Sequence, residues 1–415
     1  QRYTAVPFPH RWNSWKVMTV HTLRFCALPL LSLLACTTAG TDTSSSSSSS
    51  GGGSSQGTGS SAGVSTSSAF SASSQTASSQ GGSSQGGSSQ AGSSQGASSV
   101  GGSSSAAAGS SSTAVASSTM GSSGAPGVAD PNVDGPAATM ISNRMFTAPS
   151  TGEMVALACH HPTTAGPFPL VLVMPGFSLP TSQFVGYAQR LASHGFAACL
   201  VAYDVSFFSP SHANAANEVR DALDWLATQT DLPLDLTRVG TLGHSLGGKL
   251  AFMVAAADAR VDAVLGLDPV DTAPPGCSAQ NCPDVSGTLA TLAIPSGVLG
   301  ETLDATAAGF GQACAPAADN FATFYAAANS PAFSVTINGA NHMSFLDNVS
   351  TCGFTCSVCR PATAPNATVN GMARAYAAAF FSKTLRQQDA YDAYLTGAAA
   401  QARYVTPGLA TITSK

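Results

Sequence analysis

Between residues 43 and 129 the chain carries no Asp, Glu, Lys or Arg and consists mainly of Ser, Gly, Ala and Gln. Such a stretch has too few large apolar side chains to offset the backbone entropy of ordering it. Its recurrent Gly-Ser-Ser-Gln units, at 82–85, 87–90 and 92–95, bring no chemistry of their own. The composition predicts a flexible coil over 37–132, with a root-mean-square reach of roughly 50 Å. Any folded core must come from the roughly 285 residues that follow, enough for one sizeable domain.

That remainder holds 12 Lys and Arg against 20 Asp and Glu. A mildly acidic domain without clustered cations is a poor match for nucleic acid, which is bound by displacing counterions from phosphates. No apolar run beyond the N-terminal region reaches the ~20 residues of a membrane span. Upstream of the coil, Arg24 precedes a short apolar run, 25–35, that ends in Leu33-Leu34-Ala35-Cys36. This is similar to the cleavage box of a bacterial lipoprotein signal, over 18–36, and implies an exported protein lipidated on Cys36 and anchored to the cell envelope. Residues 1–17 read as an extension preceding the start at Met18.

Eight cysteines remain beyond Cys36, an even number that in an exported domain reads as disulfides. Cys277 and Cys282 bracket a local loop, and Cys314, Cys352, Cys356 and Cys359 could form two further bridges. The alternative for the last three is a metal knuckle, but no His follows at ligand spacing. Cys159 and Cys199 lie in strand-like runs, where a buried free thiol is as reasonable as a bridge.

From about Val133 the pattern becomes one of apolar runs alternating with amphipathic ones. The runs 169–174, 196–203, 238–242, 261–267, 289–299 and 332–337 read as strands; 187–194, 213–229 and 250–257 read as helices. Continuous apolar strands separated by helices predict an α/β fold, a mostly parallel sheet covered on both faces, in a single domain over 133–415. Ligands of such sheets bind at the carboxyl ends of the strands.

Gly243-His244-Ser245-Leu246-Gly247 fits G-x-S-x-G between a strand and a helix. The turn forces the serine into a strained conformation and projects its hydroxyl at a helix N-terminus. A phosphate-binding loop would require Lys followed by Ser or Thr, and Lys249-Leu250 is out of register for it. A serine hydroxyl is a weak nucleophile until a base takes its proton. After Ser245 the chain has one other histidine, His342, in a loop following the run 332–337, which makes it the candidate base. Asp268 ends the run 261–267, one strand after Ser245, and Asp304 follows the run 289–299, two strands after and at the commoner place for the acid; either could orient the imidazole. Asp262, Asp271 and Glu301 read more simply as solvated surface charges. The candidate oxyanion donors are the backbone N–H groups of Leu246 and Phe177, the latter in the Pro175-Gly176-Phe177 turn. This chemistry requires no metal and no organic cofactor. Phe177, Phe207, Phe208, Met343 and Phe345 suggest an apolar mouth.

Several stretches between Phe168 and Asp347 resemble the chlorophyllase family of α/β-hydrolases. They are Pro175-Gly-Phe-Ser178, Leu191-Ala-Ser-His-Gly-Phe196, Gly243-His-Ser-Leu-Gly-Gly-Lys249, Leu265-Gly-Leu-Asp-Pro-Val-Asp271, Cys314-Ala-Pro316, Asn320-Phe-x-x-Phe-Tyr325 and Gly339-x-x-His342. The resemblance implies an α/β-hydrolase fold, hydrolysis of carboxylic esters, and Asp268 as the acid. Leu246 departs from the plant pattern, which tends to carry Arg there. Other elements are similar to secreted bacterial hydrolases of the cutinase and dienelactone-hydrolase type, in which the acid follows the later strand and would be Asp304. The expected activity is therefore that of a chlorophyllase-like carboxylesterase acting on a small-molecule or lipid-like ester. The competing readings are a lipase- or cutinase-like polyester hydrolase, a peptidase or thioesterase on the same triad, and a surface binding module without turnover.

Overall fold

The computed structural model describes residues 127–205, 209–307 and 313–415. Cys36, the signal segment, residues 1–17, nearly all of the expected coil, and Phe207 and Phe208 lie outside the described residues.

Nine strands form one sheet: β1 (Thr139–Thr147), β2 (Met154–Pro162), β3 (Phe168–Met174), β4 (Ala197–Ala202), β5 (Leu234–His244), β6 (Val261–Leu267), β7 (Ser296–Glu301), β8 (Ala332–Ile337) and β9 (Ala410–Ser414). Their spatial order is β1-β2-β4-β3-β5-β6-β7-β8-β9. The run from β4 to β8 is parallel, and β1, β2 and β9 pair antiparallel at the edges. The mostly parallel sheet is the one that the alternation of apolar runs implied, and the architecture is the α/β-hydrolase fold that the resemblance implied.

Strand side chains point alternately to the two faces, and both faces here are apolar. Val171 and Val173 of β3 join one core, with Tyr187 and Leu191 of α1 (Val185–Ser193). Leu170, Leu172 and Met174 join the other, with Val219 of α2 (His212–Leu226) and Leu250 of α3 (Leu246–Ala257). Phe324 of α4 (Phe321–Ala327) packs in the second core, and Tyr376 and Phe380 of α5 (Asn366–Thr384) in the first. Among the described residues no helix is long and apolar enough to cross a membrane.

Two boundaries differ from the sequence reading. The run 289–299 is not one strand: Leu289 ends a helical turn, Ser286–Leu289, and β7 starts only at Ser296, directly after Pro295. Proline lacks the N–H a central ladder needs, so the strand begins beyond it. The end of the expected coil is also held by the domain. Both carboxylate oxygens of Asp130 accept from Arg403 at 2.6 Å, and Asn132 accepts from the Tyr404 hydroxyl.

All eight cysteines beyond the described residues' start are paired, as Cys159–Cys199, Cys277–Cys282, Cys314–Cys359 and Cys352–Cys356. Cys159 and Cys199 face each other in the register of β2 and β4, which resolves them in favour of a bridge. The cysteines of the would-be knuckle are all spent in disulfides.

Candidate active site

The chain crosses from β3 outward to β4 and returns to β5 on the other side of β3, so a crevice opens at the carboxyl ends of β3 and β5. Ser245 follows β5 there and caps α3, with φ 55° and ψ −122°. Such a backbone is sterically costly for a residue with a side chain and persists only where its surroundings enforce it. The flanking glycines do so. A Cβ on Gly243 would sit 2.1 Å from the Gly247 carbonyl oxygen, and one on Gly247 would sit 2.3 Å from the carbonyl oxygens of Met174 and Pro175. Strand, turn and helix can approach this closely only without those two side chains. The Ser245 N–H donates to Leu267 O at 3.0 Å, tying the turn to β6.

His342 opens a short 3-10 turn after β8 and is 3 % exposed. Its Nε2 lies 2.8 Å from Ser245 Oγ, and its Nδ1 lies 2.6 Å from Asp268 Oδ2. An ionised carboxylate only accepts, so the ring proton sits on Nδ1 and Nε2 is left to accept from the serine. Asp268 follows β6, is fully buried and has φ 43°. Asp304, the other candidate acid, meets the main chain instead. Its Oδ2 accepts from the His342 N–H and its Oδ1 from the Arg360 N–H, both at 2.8 Å.

Glu301 is no surface charge. It is 2 % exposed, and its Oε2 accepts from the N–H groups of Leu303 and Asp304. Burial pushes its carboxyl up to about 7, helped by the neighbouring charge of Asp268. Burial acts to lower the His342 imidazole, but Asp268, Asp304 and Glu301 outweigh it and the net shift is upward. Asp271 is not free either: its Oδ1 lies 2.7 Å from Nζ of the wholly buried Lys249. Asp262 is exposed, and its Oδ2 accepts from the Val239 N–H.

His244 packs beneath the site. Its Nε2 donates to the His342 carbonyl oxygen at 2.8 Å, and the two rings lie 4.7 Å apart. Burial holds it neutral. Sequence reading missed Tyr203, whose hydroxyl donates to the Pro175 carbonyl oxygen and so pins the turn before Phe177. A tyrosine at the end of the apolar run 196–203 gives no sign of such a role.

Ser245, Leu246 and Phe177 line one cavity of about 660 Å³. Met343 and Phe345 do not reach it; both are buried in the core on the α1 side of the sheet. Their apolar character serves packing rather than a mouth.

Comparison with known proteins agrees with this architecture. The family model described as Chlorophyllase matches residues 133–401. Chlorophyllase-2 of Arabidopsis thaliana is 28 % identical over 225 residues, which cover 50 % of this chain and 68 % of the relative. A bis(hydroxyethyl) terephthalate hydrolase of Streptomyces coelicolor is 28 % identical over 109 residues, 26 % of this chain and 34 % of that protein. Cutinase est1 of Thermobifida alba is 25 % identical over 114 residues, 26 % of this chain and 38 % of that protein. The family match covers strands β1 to β8, the Ser245 turn and the His342 loop, and on that extent the chain belongs to the chlorophyllase family.

Proposed function

We propose that this chlorophyllase-family protein, a carboxylic ester hydrolase, cleaves its substrates through Ser245, His342 and Asp268 by way of an acyl-enzyme. What supports the reading is the unbroken line of hydrogen-bonding contacts, 2.8 Å from Oγ to Nε2 and 2.6 Å from Nδ1 to Oδ2. Ser245 Oγ attacks the ester carbonyl carbon as its proton passes to His342 Nε2. Asp268 fixes the tautomer and stabilises the imidazolium that forms. The backbone N–H groups of Phe177 and Leu246 receive the tetrahedral oxyanion, Leu246 at the start of α3, where the helix favours negative charge. His342 then protonates the departing alcohol and activates a water, which releases the acid and restores the serine.

Export and anchoring through Cys36 belong to the same proposal, supported by the Leu33-Leu34-Ala35-Cys36 box and the charge-free stretch behind it. Replacing Cys36 by Ser should move the protein out of the membrane fraction.

The test is labelling with a fluorophosphonate, together with hydrolysis of p-nitrophenyl esters, triglycerides, polyester film and chlorophyll a. Labelling of the wild type that disappears in Ser245→Ala is expected. An unlabelled, inactive wild type would favour a binding module on the same fold.

A further inference from the structure

The cavity beside Ser245 has walls of Pro210, Val270, Ala273, Pro274 and Pro275, none of which carries a polar side-chain atom. Three of its lining side chains do carry one: Ser245, Thr272 and His212. Ser245 is engaged by His342, and the Thr272 hydroxyl donates to Asp319 Oδ2 at 2.7 Å. His212 stands apart. It is 2 % exposed, and its Nδ1 has no hydrogen-bond partner among the described residues. A buried polar atom left unpaired is costly to the fold, and native proteins keep few of them.

The position of His212 is nonetheless well determined. It is the first residue of α2, whose N-cap Ser211 accepts from the Asn214 N–H at 3.1 Å. The next N–H, that of Ala213, donates at 2.9 Å to the carbonyl oxygen of Asn281, inside the loop closed by Cys277–Cys282. The disulfide loop and the start of the helix thus hold the imidazole against the cavity. Burial, with the charge of Lys249 nearby, pushes the imidazole down to about 4, so the ring is neutral at ordinary pH.

We propose that His212 recognises the substrate, and that the preferred substrates are esters carrying a neutral hydroxyl group on the part that enters this cavity. The inference rests on the ester-hydrolase reading and sharpens it to a substrate class. A neutral imidazole offers one donor and one acceptor, and a hydroxyl can satisfy either. A carboxylate would find no partner in Lys249, whose ammonium is taken up by the Asp271 carboxylate at 2.7 Å and its carbonyl at 3.0 Å. The remaining wall rewards apolar surface. A purely hydrocarbon ester would fill the cavity but leave His212 as it is.

The experiment compares matched esters that differ by one hydroxyl for one methyl. On the alcohol side the pair is 2-hydroxyethyl benzoate and propyl benzoate; on the acyl side it is p-nitrophenyl 6-hydroxyhexanoate and p-nitrophenyl heptanoate. Wild type should favour the hydroxylated member of at least one pair by about tenfold in kcat/KM, as expected for one desolvated hydrogen bond. His212→Leu should erase that preference while still hydrolysing the methyl-ended ester, and His212→Asn should restore part of it. Melting adds a second readout: His212→Leu should hold or raise Tm, because it removes an unpaired polar group, whereas a histidine that served only the fold would give a loss. Turnover without a hydroxyl preference in either pair, or a preference that survives in His212→Leu, overturns the assignment and leaves the ester-hydrolase reading intact. A wild type inactive on all four esters overturns both.

Discussion

Asp304 grips His342 by its main chain, accepting the backbone N–H at 2.8 Å, while the imidazole of the same residue is met by Asp268 at 2.6 Å. The two carboxylates stand at the ends of neighbouring strands and act on different parts of one residue. Asp268→Asn should therefore lower kcat on a p-nitrophenyl ester by about 10⁴-fold, the effect of presenting the wrong tautomer. Asp304→Asn should cost far less in kcat and show itself mainly as a lower Tm. Equal losses from both variants in steady-state kinetics would reverse the division of labour.

Three buried carboxyl groups raise the His342 imidazole above its ordinary 6.5. In the proposed role His342 accepts a proton only when neutral, so activity should be full at high pH and decline as pH falls through a value above 6.5. Glu301→Gln removes one of the charges and should move the inflection to lower pH. A pH–rate profile of the two proteins checks both statements, and a flat profile would exclude a histidine base.

Gly247→Ala would drive a methyl group to within 2.3 Å of two carbonyl oxygens. Neither belongs to a flexible side chain, so the expected loss is about 3 kcal/mol or more by urea unfolding, at the upper end of overpacking. Gly287→Ala meets nothing within 4 Å and should leave stability unchanged or slightly improved.

Cys314–Cys359 spans two segments that both bond to Asp304. Ala315 N–H donates to the Asp304 carbonyl at 3.1 Å, and Arg360 N–H to its carboxylate at 2.8 Å. Removing this bridge by Cys314→Ala with Cys359→Ala should lower stability by about 2–4 kcal/mol and also reduce kcat. Removing Cys352–Cys356, which closes a much shorter loop, should cost less on both counts.

The parts legible in the sequence were those whose local chemistry admits one answer. The strand runs 261–267 and 332–337 coincide with β6 and β8, since an uninterrupted apolar stretch of that length suits a strand buried on both faces. Helix α5 was not read, because its Ala-rich stretch is buried on nearly all sides and lacks the apolar stripe that announces a surface helix. The edge strands β1 and β9 are short of apolar residues on one face and blend into the flanking polar chain. Spacing alone left both Asp268 and Asp304 open, with the position two strands after the serine the commoner place for the acid; Asp268 directly follows β6 and Asp304 lies three residues past β7. Resemblance favoured Asp268, and it is Asp268 whose carboxylate meets the His342 ring while that of Asp304 meets the His342 main chain. Glu301 went unrecognised as buried because a lone carboxylate in sequence shows nothing of the N–H groups that will fold around it.

The clasp between Asp130 and Arg403 lies among neighbours that fix its place in the molecule. Pro131 O accepts from Arg190, and the Gly135 N–H donates to Ser193 Oγ, both at the end of α1. Helix α1 runs back from the carboxyl end of β3, so its last turn sits at the pole away from Ser245. Force arriving along the preceding chain would be taken up by a guanidinium–carboxylate fork at that rear pole. Ser245 stands at the opposite end of the strands from that fork, where β5 gives way to α3.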